Sequence, residues 1–389
     1  MTIAPHVDEV AQGPERRAVR TPNASHSLKA FIVTSAAQAK ELQCRHWFNA
    51  HSTCLPPEIF WATATKPGKW KPYVICVTRD DSPIGLLYLK ERILAGLSSK
   101  LLHGDASMRN MVDSSVSDHD AVLLTALCFA FSRKRALAAS LYLPSDHIQH
   151  SKLTTLARSA DLSLSFAVPP ARHSRITLPD TYEGFLQRLG PHTRRNMRYY
   201  RRRFESAGHS YVEAVTLSEF RQITNALLDH SRLSAPLSSV LQAIGIIESA
   251  ETPFIRALRS TTGEWLSVLA GWQEGRRATI LIQMNNDLAY PHDSLSLVLR
   301  GYVLESLISS GSQLLDFWWG AMGLLGPHSE PFPTEHAIFH SNHILWRLAR
   351  RALTKLSQIH SRDSSQSLAW ILCPCRVYPV SDQSPRCIG

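Results

Sequence analysis

The chain lacks most of the features that would assign it at a glance. No apolar run is long enough to cross a bilayer. The longest, Ala121 to Phe131, spans 11 residues with Thr125 inside it, and a spanning helix needs about 20. The amino-terminal stretch is polar, carries Pro5 and Pro14, and shows no hydrophobic signal-peptide core. There is no Walker A sequence, no G-x-G-x-x-G and no G-x-S-x-G elbow. Those absences argue against P-loop nucleotide hydrolysis, a standard dinucleotide-binding enzyme and an α/β-hydrolase. Cysteine is sparse and odd in number, seven in 389 residues, with no C-x-x-C pair. Neither a disulfide framework nor a zinc knuckle is implied, and a reduced, cytoplasmic protein is expected.

What is present is a core-forming chain with localised positive charge. Apolar residues make up 44% and charged residues 19%, too apolar for a disordered chain. Lys plus Arg (42) exceeds Asp plus Glu (32), giving a formal charge of +10. Seven Arg and no acid fall between Arg188 and Arg203, so that one stretch carries seven of the ten charges. Such a stretch asks for an anionic partner.

The order of elements points to an α/β protein built twice. Residues 1–26 read as a disordered leader. In the first half a helix is expected from Thr34 to Ala50, then strands at Tyr73–Thr78 and Ile84–Leu89 around a polar turn. A helix at Ser117–Arg135, a strand at Ala139–Leu143, a helix at Asp146–Ala160 and a strand at Ser163–Val168 follow. The second half repeats the scheme: a helix over Glu183–Ala207, interrupted at Gly190-Pro191, a strand at Ser210–Val215 and a helix from Leu217. A hairpin at Pro253–Ala270, a central strand at Ala278–Met284, a helix at Leu295–Ser309 and a strand at Leu314–Trp319 come next. Sliding the chain by 181 residues lays Pro72-Tyr-Val-Ile-Cys-Val over Pro253-Phe-Ile-Arg-Ala-Leu, as a duplication requires. The expected division is 27–170 and 180–358, followed by a further helix beyond His343 and a Ser-, Pro- and Cys-containing tail at 359–389.

Three constellations stand out. Ser294-Leu-Ser296 opens the helix after the central strand, where free N–H groups and the helix dipole favour an anion; Ser294 reads as its cap, and Arg300 lies within reach of a phosphate. In the Arg-rich helix, Met197, Tyr200 and Phe204 form a buried stripe. Arg194, Arg195, Arg198, Arg201 and Arg202 then face outward, suited to phosphate or carboxylate, and Tyr199 and Tyr200 suit stacking on bases. Finally, His336 and His340 at i, i+4, with His343 nearby, would share a helix face. Glu335 precedes the first His, where a zinc-protease motif places its Glu after it, so no metal is assigned.

Leu281-Ile-Gln-Met-Asn-Asn-Asp287, the run from Ser294 to Ile308, Gly311 and Leu315-Asp-Phe-Trp-Trp-Gly320 resemble the GNAT acetyltransferase branch that includes CelD-like cellulose-biosynthesis proteins. Leu189-Gly-Pro-His-Thr-Arg-Arg-Asn-Met-Arg-Tyr-Tyr-Arg-Arg-Arg203 is similar to that family's Arg-rich helix. The resemblance covers roughly residues 30 to 350. It implies two tandem GNAT-like folds, as in Fem-type aminoacyl transferases, each a mixed central sheet flanked by helices.

The activity it implies is acyl transfer from acetyl-CoA or another acyl-CoA to an amine or hydroxyl. Ser294, Leu295 and Ser296 match the positions that hold the cofactor pyrophosphate. The family's R/Q-x-x-G-x-G/A loop is replaced here by Ala289-Tyr-Pro-His-Asp293. Acyl transfer needs a proton acceptor and oxyanion donors. Asp287 and Asp316 are the carboxylates expected to face the cleft, Glu305 is expected to be buried with its pKa raised, and Tyr290 is placed to return a proton to a leaving thiolate. His292 and Asp293 rank below them. The first unit is expected to be a scaffold. Two other readings fit the same residues: an aminoacyl-tRNA-dependent transferase whose Arg helix grips RNA, and a non-catalytic binder of nucleic acid or anionic polymer.

Overall fold

Asp80 and Asp81 both adopt positive φ, 50° and 64°, which makes the tight turn that matches the twist of a two-residue hairpin. That hairpin, β2 (Trp70–Arg79) and β3 (Ser82–Leu94), is the centre of the first half of the protein. The computed structural model describes residues 28–46, 56–65, 69–104, 112–114, 118–144, 150–167, 174–231, 237–318, 323–331 and 334–342. The helix expected beyond His343, the leader and the cysteine-bearing tail lie outside the described residues.

The first half comprises β1 (Leu28–Val33), α1 (Ala36–His46), α2 (Pro57–Ala64), the β2–β3 hairpin, β4 (Leu97–His103), the short β5 (Val112–Ser114), α3 (His119–Cys128), β6 (Ala138–Pro144), α4 (His150–Ser159) and β7 (Leu162–Ala167). The second contains β8 (Ser174–Thr177), α5 (Tyr182–Arg188), α6 (Pro191–Ser206), β9 (Ser210–Val212), α7 (Leu217–Leu228), α8 (Leu237–Glu248), β10 (Pro253–Arg259), β11 (Trp265–Glu274), β12 (Arg277–Asn285), α9 (Leu295–Ser309), β13 (Leu314–Phe317), β14 (Glu330–Pro331) and β15 (Thr334–Ser341).

The duplication is visible in the pairing. One sheet runs β1-β2-β3-β4-β6-β15-β7 and the other β14-β8-β13-β12-β11-β10-β9. In each, three antiparallel pairings are followed by a single parallel one, β4 with β6 and β12 with β13. The sixth position of the first sheet comes from outside its own run of elements. β15, at the end of the second half, lies between β6 and β7 of the first sheet, while β8, which follows β7, joins β13. The first sheet is thus completed by a strand from near the end of the second half.

The core follows from the runs that form it. Val74–Val77 and Leu86–Leu89 are fully buried, as central strands covered on both faces should be. One apolar cluster continues from β2, β3 and α3 through Phe220 and Ile223 of α7 and Ile247 of α8 to Val268 and Trp272 of β11, so the two halves share it. A second cluster lies between the other face of the second sheet and α5, α6 and α9. Thr181 caps α5 by accepting the Gly184 N–H at 3.1 Å. Pro191 then starts α6 in the first turn, where its missing N–H costs nothing; the expected interruption at Gly190-Pro191 is thus a true break. Met197 and Phe204 of α6 are buried and Tyr200 packs beside them.

His336 and His340 do not share a helix face. They lie on β15, where a spacing of four also returns to one face, and each is buried beside a serine: His336 Nε2 is 2.8 Å from Ser140 Oγ and His340 Nε2 is 3.4 Å from Ser165 Oγ. No cluster of metal-binding side chains occurs among the described residues. No helix among them is long and apolar enough to cross a membrane.

Candidate active site

The second sheet opens where β12 and β13 part. Their parallel pairing covers Arg277–Ile280 against Leu314–Phe317 and ends with the Trp318 N–H on the Ile280 carbonyl at 3.0 Å. β12 then continues alone to Asn285. Opposite β11 it carries a bulge, because Ile280 and Ile282 face the consecutive residues Gly271 and Ala270, leaving Leu281 as the extra residue. Bulges re-aim side chains next to sites. Gly271 makes this one possible: a Cβ there would lie 1.8 Å from the Thr279 carbonyl oxygen.

Beyond the parting, polar side chains hold the floor. Ser267 Oγ donates to Asn285 Oδ1 at 2.7 Å, and Gln283 Nε2 donates to the Ser296 carbonyl at 3.2 Å. Arg300 Nε donates to Gln283 Oε1 at 2.7 Å, and burial lowers the Arg300 pKa. Arg300, expected to reach a phosphate, is thus turned onto β12 about 7 Å along α9 from its start. Gln283 was not singled out by sequence reasoning. Its signal was a lone long polar side chain in the strand Ala278-Thr-Ile-Leu-Ile-Gln-Met284.

The start of α9 differs from expectation in detail. Ser294 occupies the cap position in the left-handed region, φ 45° and ψ 44°, and its side chain makes no capping bond. Its carbonyl instead accepts the Leu297 N–H at 2.8 Å and the Val298 N–H at 3.1 Å. The N–H groups of Leu295 and Ser296 have no acceptor among the described residues. Asp293, beside this opening, is paired with Arg203 of α6 at 3.0 Å.

A loop borders the opening. Glu264 accepts Asn286 Nδ2 at 3.0 Å and the Tyr290 hydroxyl at 3.3 Å. Partial burial, then the Glu264 charge, raises the Tyr290 pKa, keeping its proton on. Asp287 is half-exposed and makes no hydrogen bond or ion pair among the described residues.

Two expected carboxylates are committed elsewhere. Glu305 is not buried: its side chain is 40% exposed and pairs with Arg201 at 2.5 Å. It lies ten residues into α9, about 15 Å from the helix start, so it belongs to the α6–α9 contact. Asp316 is buried and accepts Arg175 Nε at 2.9 Å across β13 and β8, a paired internal charge rather than a free one.

The Arg face is partly neutralised by acids of α5, α9 and α6 itself. Arg198 binds Glu183 at 2.7 Å, and Arg201 binds both Glu205 and Glu305. Arg202 donates to the Arg198 carbonyl at 3.3 Å. Arg194 and Arg195 make no ion pair among the described residues, and Tyr199 is 50% exposed.

No known family model and no curated protein sequence matches this chain. Solved structures do. FemX is 13% identical, with the match covering 82% of this chain and 99% of FemX at a TM-score of 0.52. The two chains share a fold. A tandem GNAT protein from the clavulanic acid biosynthesis pathway is also 13% identical, over 80% of this chain and 98% of that one, with a TM-score of 0.42. L-PGS from Bacillus licheniformis is 10% identical, over 75% and 89%, with a TM-score of 0.44. The expected α/β architecture, built twice with a mixed sheet flanked by helices in each half, is the one observed.

Proposed function

We propose that this protein is an acyltransferase of the CelD-like GNAT type, working at the β12–β13 opening and moving an acyl group from acetyl-CoA or another acyl-CoA to an amine or hydroxyl. The observation that carries this is the pair of unaccepted N–H groups at Leu295 and Ser296 beside a parted parallel strand pair. Two such donors at a helix start suit a phosphate, and the Arg203–Asp293 pair removes a negative charge that would oppose it. A pyrophosphate-bearing ligand therefore fits the residues present, held by Leu295, Ser296 and the Ser294 and Ser296 hydroxyls. Acyl-CoA bound there would supply an activated thioester.

The chain's own groups then have separate roles. Asp287, with no internal partner, takes the proton that an amine or hydroxyl acceptor gives up as it attacks. Tyr290, held protonated by partial burial and the adjoining Glu264, delivers a proton to the leaving sulfur. The two transfers balance: one proton leaves the acceptor and one reaches the thiolate.

A second reading rests on a different observation. Arg194 and Arg195 offer cations without ion-pair partners among the described residues, and Tyr199 offers an exposed ring, which suits an RNA-linked donor such as aminoacyl-tRNA. Calorimetric titration with acetyl-CoA and CoA at two salt concentrations separates the readings. Binding at micromolar to millimolar ligand with weak salt dependence supports the CoA site. No binding at millimolar ligand removes it, and steep salt-dependent binding of tRNA would put the second reading in its place.

A further inference from the structure

In the first sheet, the position equivalent to the candidate site lies at the carboxyl ends of β4 and β6. The opposite end, formed by the start of β2, the end of β3, the start of β4 and the turn before β6, has a different character. The β3–β4 turn, Ala95-Gly96, brings Leu94 and Leu97 side by side in register. Both point into solvent, 44% and 74% exposed. Single exposed leucines are ordinary, but a pair at a hairpin tip marks a contact when its surroundings match.

Here the surroundings are basic. Lys69, just before β2, and Lys71, Lys90 and Arg92 on β2 and β3 flank the tip, with Lys90 and Arg92 lying over the Trp70 ring. Lys100 follows on β4, and its carbonyl accepts the Leu137 N–H at 2.9 Å. That bond brings the exposed run Arg133-Lys-Arg135 to the same end. Glu91 is the one acid on these segments, and Lys71 neutralises it at 2.9 Å. A cavity of about 440 Å³ opens between Lys71, Lys100, Lys134, Trp61 and the Lys71-paired Glu91. Tyr73 also lines it, and its hydroxyl is buried without a hydrogen-bond partner among the described residues.

The apolar tip is flanked by cations on both faces of the sheet, Lys71 and Lys100 on the face with the cavity and Lys90 and Arg92 over Trp70 on the other. An anionic bilayer offers each its complement: acyl chains for the leucines, surface charge for the lysines, and a headgroup phosphate for the cavity. We propose that this end of the first sheet docks on an anionic lipid surface, with Leu94 and Leu97 entering the interface and the Lys71–Lys100–Lys134 cavity receiving a lipid phosphate. This contact is independent of the acyl transfer assigned to the second half.

Co-sedimentation of the full chain with phosphatidylcholine vesicles, with and without phosphatidylglycerol, tests it. The protein should pellet with the anionic vesicles and stay in solution with the neutral ones. Leu94→Asp with Leu97→Asp should abolish pelleting, and Lys100→Glu with Lys134→Glu should weaken it by more than about tenfold, each lysine being worth about fivefold. These side chains are exposed, so thermal melting of the variants should match the parent. Equal pelleting with neutral vesicles, or unchanged pelleting of the leucine variant, overturns the proposal. So does loss through Arg194→Ala with Arg195→Ala alone, which would make α6 the membrane surface. Saturable binding of inorganic phosphate without any pelleting would likewise overturn it, leaving a small-anion site.

Discussion

Arg203 on α6 and Asp293 on the loop before α9 are joined at 3.0 Å, so the Arg-rich helix reaches the mouth of the candidate site through one ion pair. Both side chains are partly exposed, which limits the pair to about 0.2–1 kcal/mol. Arg203→Ala should therefore weaken CoA binding about two- to fivefold by leaving Asp293 uncompensated, and adding Asp293→Asn should restore it. Calorimetry on both variants measures this. Unchanged affinity in Arg203→Ala would show that the pair does not act on the ligand.

Ser294 supplies a backbone test. A serine at φ 45° is strained by about 1 kcal/mol relative to glycine. Ser294→Gly should raise stability by up to that amount and preserve affinity. Ser294→Pro should destabilise the protein, since proline cannot leave φ near −65°, so affinity lost in that variant is not evidence about the helix start. Thermal melting with and without CoA distinguishes the two.

Asp287→Asn should leave the melting temperature unchanged, because the side chain has no internal partner to lose. Transfer should fall by about 10²–10⁴, read as thiol release from acetyl-CoA with an acceptor that supports turnover. Full activity would remove Asp287 as the proton acceptor.

Gly271→Ala should cost about 3 kcal/mol or more, since its Cβ would meet the Thr279 carbonyl at 1.8 Å. Denaturant unfolding measures it. A neutral result would mean that the β11–β12 bulge can relax.

Burial pushes the His336 pKa from 6.5 down to about 4. The unfolded chain then binds a proton that the native protein does not, so stability is full above about pH 6.5 and is lost as pH falls toward 4. Burial and the neighbouring Lys90 and Arg92 push His103 lower, to about 3, in the same direction. His336→Gln, with denaturation measured across that window, should flatten the acid side of the profile; an unchanged slope would assign it to other groups.

The hairpins and long apolar helices were legible because their patterns are local. The repeat of Pro72-Tyr-Val with Pro253-Phe-Ile shows the duplication without any tertiary information. β15 was not legible, since His336 and His340 recur with the same spacing on a helix and on a strand, and only β6 and β7 decide between them. The acid-free run from Arg188 to Arg203 suggested unpaired charge, yet Glu183, Glu305 and Asp293 approach from other elements. Glu305 looked buried by its apolar neighbours, whereas α6 turns it toward Arg201. Gln283 became visible only when Arg300 and Ser296 were seen on either side of it.

The late strand β15 has a consequence for synthesis. His336 of β15 meets Ser140 of β6 across 196 residues, and such distant pairing is slow to form. As the chain leaves the ribosome, β6 and β7 must wait, edges unpaired, until nearly the whole second half has emerged. During that interval the first sheet is a template for any passing strand. The interval also lets β8 seat beside β13 before β15 arrives, so the order in which the two sheets close is written into the order of translation.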